Sequence, residues 1–240
     1  MNSSLWRRLK YYGVGFLIGC IFVFSFFQTR GCSWTPENRV RTAILDRVIT
    51  VNEVERAIME KHNLTMDDII AAIQDGKVDF KNSRKDTKDK VYLFTAAIKD
   101  KGTYKLYFTL PTESFISELH IGANNIEEIK NTKVGKGYFL HFPNDEYLIY
   151  PDSTAATECK LQALGMESPV VILKNLKANA YIDFEKSNLS IEPKAEHQIF
   201  TIVNKDTIGF SSIWYKNKIY IQDVQLERLN ECDALSKKTK

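Results

Sequence analysis

The sequence predicts an α+β fold with an N-terminal transmembrane helix, a set of short helices and then an antiparallel sheet. Three observations predict it. An uncharged apolar run extends from Tyr11 to Thr29, helix-capping patterns recur over 35–76, and runs of β-forming residues separated by turn residues fill most of 91–224. Of the 240 residues, 44% are hydrophobic and 26% are charged, which is ordinary for a globular protein.

The apolar run is long enough to predict a membrane anchor. Its 19 residues, taken as a helix, span about 28 Å, close to the thickness of a bilayer core. Aromatic residues stand near both of its ends, and two of its glycines have the spacing that permits close helix packing. We therefore expect the lipid bilayer to be a partner of this helix, through Tyr11, Tyr12, Gly15, Gly19, Phe27 and Trp34.

The flanking charges predict the orientation of that anchor. Arg7, Arg8 and Lys10 precede the run, and this bias favours a cytoplasmic N-terminus with the bulk of the chain outside. The tetrapeptide 17–20, Leu-Ile-Gly-Cys, resembles a lipoprotein cleavage site. However, the apolar run continues past Cys20, so a retained anchor is favoured over cleavage.

The chain divides into five predicted segments. These are a basic cytoplasmic N-terminus at 1–10, the transmembrane helix at 11–29, a first α+β module at 30–150, a second β-rich module at 151–232 and a disordered tail at 233–240. A short internal echo links the two modules, since KVDFKNS at 77–83 resembles YIDFEKS at 181–187. Either one module is duplicated, or two sheets share similar strand starts.

Short helices are predicted first. Thr35-Pro36 is a typical helix start, Thr50 to Glu53 resembles a capping box, and a third helix begins near Thr65 and stops at Gly76. A further helix is predicted over Ala155–Leu164. The predicted strands are 91–98, 104–110, 114–121, 138–142, 147–150, 170–173, 180–184, 197–203, 208–215 and 218–224.

The charges exclude one broad class of function. Basic residues exceed acidic ones by three, and three basic residues precede the apolar run, so the remainder is neutral overall. No nucleic-acid partner is therefore expected. The local basic patch from Lys81 to Lys85 is interpreted as a solvated loop.

Common catalytic and metal-binding signatures are absent from the sequence. The four histidines are scattered singly, without metal-ligand spacing, and we expect neither a metal nor a cofactor. His120 and His141 are the catalytic candidates, because they could meet across a sheet near Glu118 or Tyr138 as a general acid–base pair. The alternative is that both are surface or half-buried strand residues.

The four cysteines suggest one covalent link. Cys20 lies in the apolar run and Cys32 just beyond it, while Cys159 and Cys232 belong to the second module. In an oxidising compartment, Cys159 and Cys232 are the candidate disulfide. The alternative is two buried thiols.

The segment from Glu55 to Ile121 resembles a small bacterial α+β family of unassigned function. The resemblance is carried by Glu55-Arg56, by LTMDDI at 64–69 and by QDGKV at 74–78. It implies a fold similar to RelE- and barnase-like ribonucleases. The family's helix carries a His before the Arg, and this chain has Asn52 to Glu55 there instead. The N-terminal stretch also resembles single-span proteins of Gram-negative bacteria, through RLKYY at 8–12, NR at 38–39 and ILDRV at 44–48. This resemblance implies an inner-membrane location with the C-terminal domain in the periplasm.

Together these observations favour a membrane-anchored, extracytoplasmic binding or interaction protein of the bacterial envelope, without catalytic activity and with another envelope protein as partner. One alternative is a degenerate nuclease-like or hydrolase domain using His120 or His141. The other is a structural subunit of a membrane complex, with the N-terminal helix as its interface.

Overall fold

The computed structural model describes residues 3–30, 35–112, 114–130, 134–143, 148–189, 194–203, 206–215, 218–226 and 231–232, and for 3–7, 25–30 and 215 it describes the backbone alone. The chain divides into two compact units, Met1–Val40 and Arg41–Lys240. The predicted tail at 233–240 and Trp34 lie outside the described residues, as does the side chain of Phe27.

The first unit contains helix α1, Ser3–Arg30, which is longer than the predicted 11–29. Among the described residues, however, no helix is both long and apolar enough to cross a membrane. The uncharged stretch from Tyr11 to Phe24 in this helix includes two tyrosines and three glycines, which are less apolar than the aliphatic residues around them. The predicted transmembrane helix is therefore wrong for the part of the chain described.

Five further helices are formed by the described residues. They are α2 Pro36–Leu45, α3 Glu53–Lys61, α4 Met66–Asp75, α5 Ala155–Ala163 and α6 Pro169–Asn179. The caps follow the sequence closely: Thr65 forms the capping box of α4 with Asp68, and Thr154 and Ser168 cap α5 and α6. A short 3-10 helix, Ile126–Glu128, is capped by Asn125.

The described strands form one 11-stranded sheet. In chain order they are β1 Val48–Val51, β2 Lys77–Arg84, β3 Asp89–Ile98, β4 Gly102–Pro111, β5 Ile116–Ile121, β6 Lys136–His141, β7 Ile149–Pro151, β8 Tyr181–Asn188, β9 Glu196–Val203, β10 Asp206–Tyr215 and β11 Lys218–Gln225. Their spatial order is β2-β3-β4-β5-β1-β6-β8-β9-β10-β11-β7.

The sheet is built from two copies of one topology. Residues 48–121, the first repeat, run strand, helix, helix and then four antiparallel strands, with β1 parallel to β5. Residues 149–225, the second repeat, run the same way, with β7 parallel to β11. Strand β6 is antiparallel to β1 and to β8, and so joins the two repeats edge to edge.

The echoed segments occupy the same place in both repeats. In the first, the Asp79 carboxylate accepts hydrogen bonds from the backbone N–H groups of Lys81 and Asn82. The Ser83 hydroxyl donates to the backbone carbonyl of Asp79 and accepts from Leu93 N at 3.0 Å. In the second, the Asp183 carboxylate accepts from the backbone N–H groups of residues 185 and 186. The Ser187 hydroxyl donates to the backbone carbonyl of Asp183 and accepts from Gln198 N at 3.0 Å. This agreement in contacts and in strand pairing favours duplication over two unrelated sheets.

The main hydrophobic core lies in the second repeat. It collects side chains from α5, α6 and the strands β8 to β11, among them Ile172, Leu176, Ile199 and Phe210, which are fully or almost fully buried. In the first repeat α4 packs against β3, and its buried residues are Ile69, Ala72 and Ile73. Because one compact unit contains both repeats, the predicted modules at 30–150 and 151–232 are halves of one sheet.

Two local predictions are wrong. Val170 to Leu173 was expected to be a strand and lies in α6, because Ser168 caps a helix there and Pro169 takes its first position. Thr50 was expected to cap α3 and lies in β1 instead, while Asn52 is the actual cap and accepts from the backbone of Val54 and Glu55. The apolar run before Asn52 becomes a buried strand because β5 and β6 flank it.

Candidate functional site

A polar groove with a volume of about 620 Å³ lies on the first repeat. One wall is β2 with its connection to β3, the other is the segment around the 3-10 helix, and the floor is formed by β3 and β4. We call it the first-repeat groove. It is lined by Asp79, Lys81, Asn82, Ser83, Arg84, Lys85, Asp86, Thr87, Leu93, Thr95, Lys105, Tyr107, Asn124, Asn125, Ile126 and Glu127.

Side-chain hydrogen bonds hold the walls of the groove apart at a fixed distance. The Arg84 guanidinium donates to Ile126 O at 3.2 Å and to Ile129 O at 2.8 Å, and so ties one wall to the other. Hydrogen bonds from the Asn82 side chain and backbone hold the pKa of Asp79 below its ordinary value, and this carboxylate fixes the turn. The walls are therefore built before any ligand arrives.

The floor follows from strand alternation. Leu93 pairs with Tyr107 across β3 and β4, and Thr95 pairs with Lys105, so these four side chains share one face. Leu93 and Tyr107 are buried, whereas Thr95 and Lys105 are exposed. The floor thus combines a packed apolar end with an open polar end.

The groove contains the sequence-predicted basic patch. Lys81 to Lys85 was interpreted as a solvated loop, and the structure places it in a wall. The sequence signal that could have located the groove was the echo between 77–83 and 181–187. The two segments form the same turn but carry different charges, so the turn itself does not require the charges of the first segment. Strand pairing places Lys105 beside Thr95 on the floor of the same groove.

A histidine and two glutamates meet near the carboxyl ends of the parallel strands β1 and β5. His120 Nδ1 lies 3.3 Å from Glu55 Oε1 of α3, and His120 Nε2 lies 3.9 Å from Glu118 Oε2. The His120 side chain is 14% exposed and that of Glu55 is 11% exposed. The predicted proximity of His120 and Glu118 is therefore present, and Glu55, for which no sequence pattern indicated a contact with His120, lies closer.

The equivalent place in the second repeat holds a different polar pair. There Lys160 of α5 lies 3.2 Å from Asp223 of β11, and the Lys160 side chain is only 5% exposed. In both repeats, then, a polar pair fixes the first helix to the last strand. The recurrence of this link with unrelated residue types favours a structural role for the contact between His120 and Glu55.

His141 does not join His120. It lies in β6, and β1 lies between β6 and the strand of His120. Its Nε2 donates to Leu45 O at 3.1 Å, and burial lowers its pKa. The structure thus uses His141 as a backbone link, and the expected pair across the sheet is not formed.

His197 was not singled out by the sequence, yet it is the most buried of the histidines. It is 1% exposed, stacks on Trp214 with ring centroids 4.6 Å apart, and places Nε2 at 3.2 Å from the Ser114 hydroxyl. Burial lowers its pKa to about 4, so it is neutral at pH 7. Its position in the alternating pattern of β9 was the available signal.

A disulfide joins Cys159 of α5 to Cys232, with 5.8 Å between their Cα atoms. This is the candidate pair named from the sequence, where two buried thiols were the alternative, and the bond closes a separation of 73 residues. Among the described residues, no group of three or more His, Cys, Asp or Glu side chains is placed to hold a metal ion.

Of the residues expected to contact lipid, Tyr11, Tyr12, Gly15, Gly19 and Phe27 lie on α1, and Trp34 lies outside the described residues. Tyr11 and Tyr12 are 75% and 78% exposed, and a Cβ added at Gly15 or Gly19 would meet nothing within 4 Å. Cys20 is exposed and carries a free thiol.

Comparison with known proteins gives no relative from which a function could be transferred. No family model matches the chain, and no match is found among curated proteins or among solved structures. The resemblance noted over 55–121 therefore stays a prediction, and function has to be argued from the groove and the buried polar groups themselves.

Proposed function

We propose that residues 41–240 form a non-catalytic binding module of an oxidising, extracytoplasmic compartment, with the first-repeat groove as the binding site. The groove is the observation that carries the proposal. Its volume falls in the range of about 300–1,000 Å³ that is usual for ligand sites. Its walls are held by internal hydrogen bonds, so little ordering is needed on binding.

Two further observations support the proposal. Disulfides persist in oxidising compartments, and Cys159 and Cys232 form one. The histidines that could serve in catalysis have structural partners: His141 donates to a backbone carbonyl, His197 is enclosed by the core, and His120 links α3 to β5. A binding module requires none of them to react.

The test is a ligand screen on the full chain in mild detergent, read by amide chemical shifts with a library of small polar metabolites. We expect hits to move the resonances of groove residues such as Thr95 and Lys105. Thr95→Trp would fill the open end of the floor and abolish those shifts. The matched control is Thr207→Trp, which changes an exposed strand residue of the second repeat. Hits that map elsewhere and survive Thr95→Trp would refute the site.

The hydrolase alternative rests on one observation, the 3.3 Å contact between His120 and Glu55. A carboxylate that orients a histidine is also the arrangement of a general base. This alternative predicts that the full chain hydrolyses RNA, peptide or ester substrates and that His120→Gln removes the activity. Our proposal predicts no turnover by either protein.

A further inference from the structure

We infer that the first-repeat groove selects an anionic ligand that carries phosphate or carboxylate groups. The inference rests on the proposed function, because it names the ligand class of the same site. It depends on which polar groups in the groove already have protein partners and which remain available to a ligand.

The acceptors and the arginine of the groove are largely engaged. The Asp79 carboxylate receives three hydrogen bonds from Lys81 and Asn82, and the Asn125 side-chain oxygen accepts from Glu127 N. The Arg84 guanidinium donates to three backbone carbonyls. These groups therefore form a preorganised wall of the groove and are largely unavailable for binding a ligand.

The groups that remain are mostly donors. Within the described ranges, Lys81, Lys85 and Lys105 are exposed and none has an ion-pair partner, so three ammonium groups line one groove. Exposed Thr95 adds a hydroxyl to the same lining. Phosphate and carboxylate oxygens are the acceptors that ammonium groups bind best.

Three carboxylates in the lining, Asp79, Asp86 and Glu127, oppose this charge. Arg84 adds a fourth cation to the three lysines, so the lining carries four positive and three negative side chains and keeps a surplus of one positive charge.

The second repeat shows that these cations are particular to the groove. Strand registers align Thr95 with Phe200 and Lys105 with Gly209, and the matched turns align Lys81 with Glu185. The two repeats thus share the turn and differ in the lining: where the first repeat has two ammonium groups, the second has a carboxylate and a glycine. The turn does not require Lys81 or Lys105, because the second repeat makes the same hydrogen bonds without either lysine.

The experiment titrates the full chain with four probes: pyrophosphate, citrate, maltose and spermidine. Binding is followed by amide chemical shifts and calorimetry at low and at high salt. We expect pyrophosphate, citrate or both to shift groove resonances, with binding that weakens as salt rises. The comparison of the two anions distinguishes a phosphate ligand from a carboxylate ligand.

Charge reversal supplies the variants. Lys105→Glu and, separately, Lys85→Glu should each weaken anion binding by about tenfold or more, since reversing one charge at close range is worth more than 1.4 kcal/mol. Lys174→Glu, on the exposed surface of α6, is the matched control and should leave binding unchanged. Lys85 lies in a connection between strands, so its variant tests the inference even if the Lys105 variant folds poorly.

The outcomes separate the two proposals. If maltose or spermidine binds in the groove and neither anion does, the anionic class is wrong and the groove stands as a binding site. If an anion binds equally well to all three variants, the inference is also refuted. If none of the four probes shifts a groove resonance and library hits survive Thr95→Trp, the proposed function fails with it.

Discussion

At the scale of single residues, His197 is the group most sensitive to pH. It is 1% exposed and stacks on Trp214, and burial lowers its pKa to about 4. An unfolded chain restores the pKa to about 6.5. Between these two values the unfolded state binds a proton that the folded state excludes, so the free energy of unfolding must fall as pH decreases through this window.

We predict that His197 alone lowers the free energy of unfolding by about 3 kcal/mol between pH 7 and pH 4. The measurement is denaturant unfolding at several pH values for the native chain and for His197→Gln, which retains a polar side chain near Ser114. The native protein should lose its advantage over the variant as the pH falls. Parallel curves for the two proteins would contradict the prediction.

The sequence could predict single residues only where the chemistry is local. Thr65 and Gly76 bound α4 as expected, because a cap depends on residues within one turn. His120 and His141 were expected to meet, but their separation depends on which strand lies between them, and β1 was not predicted. The contact between His120 and Glu55 likewise follows from the position of α3 relative to β5, which no local pattern encodes.

At the scale of elements, the repeated turn is the clearest structural unit. In each repeat a serine hydroxyl bonds the aspartate backbone carbonyl and accepts from the amide of the next strand. The register of β2 with β3, and of β8 with β9, shifts at this turn. The serine therefore satisfies backbone groups that an irregular strand would otherwise leave without a partner.

We predict that Ser83→Ala and Ser187→Ala each lower the free energy of unfolding, by about 1–2 kcal/mol, because each leaves a strand amide unsatisfied. The matched pair tests equivalence: if the two turns do the same work, the losses should agree within about 0.5 kcal/mol. Denaturant unfolding of both variants measures them. A loss of stability in only one variant would show that the two turns contribute unequally to the free energy of unfolding despite their shared geometry.

Most of the strands were predictable because alternation and turn residues are local signals, and β3, β4 and β9 to β11 lie close to the expected ranges. The structure of short apolar runs was not predictable from such local signals. Val170 to Leu173 could have been a strand or a helix by composition, and the cap at Ser168 decided the outcome. Strand β1 has only four residues, all buried, and exists because β5 and β6 pair with it.

At the scale of the whole molecule, β6 joins the two repeats into one sheet. Gly137 lies at the centre of this junction, paired with Ile182 of β8. A Cβ atom there would come within 2.7 Å of the Phe184 ring and 3.5 Å of Thr50. Since Phe184 belongs to the main core, the junction has no space for a side chain.

We predict that Gly137→Ala destabilises the second unit by about 1–3 kcal/mol, because the buried Phe184 ring must leave its rotamer or push the strands apart. The control is Gly135→Ala. Gly135 also lies near the start of β6, but a Cβ added there would meet no atom within 4 Å. Its backbone φ of 85° would still strain an alanine, so any cost of this variant arises from the backbone conformation and not from packing. Amide exchange measured separately in β10 and in β3 will show whether both repeats lose stability together, as one continuous sheet requires.

The disulfide is the last link that acts on the whole second unit. It joins α5 to Cys232, which follows the final strand, and so encloses β8 to β11 within a covalent loop of 73 residues. A loop of that length restricts the unfolded chain strongly, and its removal should lower the free energy of unfolding by about 4 kcal/mol. We expect the pair of substitutions Cys159→Ser and Cys232→Ser to produce this loss, measured by denaturant unfolding under oxidising conditions. Reductant should destabilise the native chain and leave the double variant unchanged. Equal effects of reductant on both proteins would show that Cys159 and Cys232 are not bonded in solution, and would also remove the main support for an oxidising compartment.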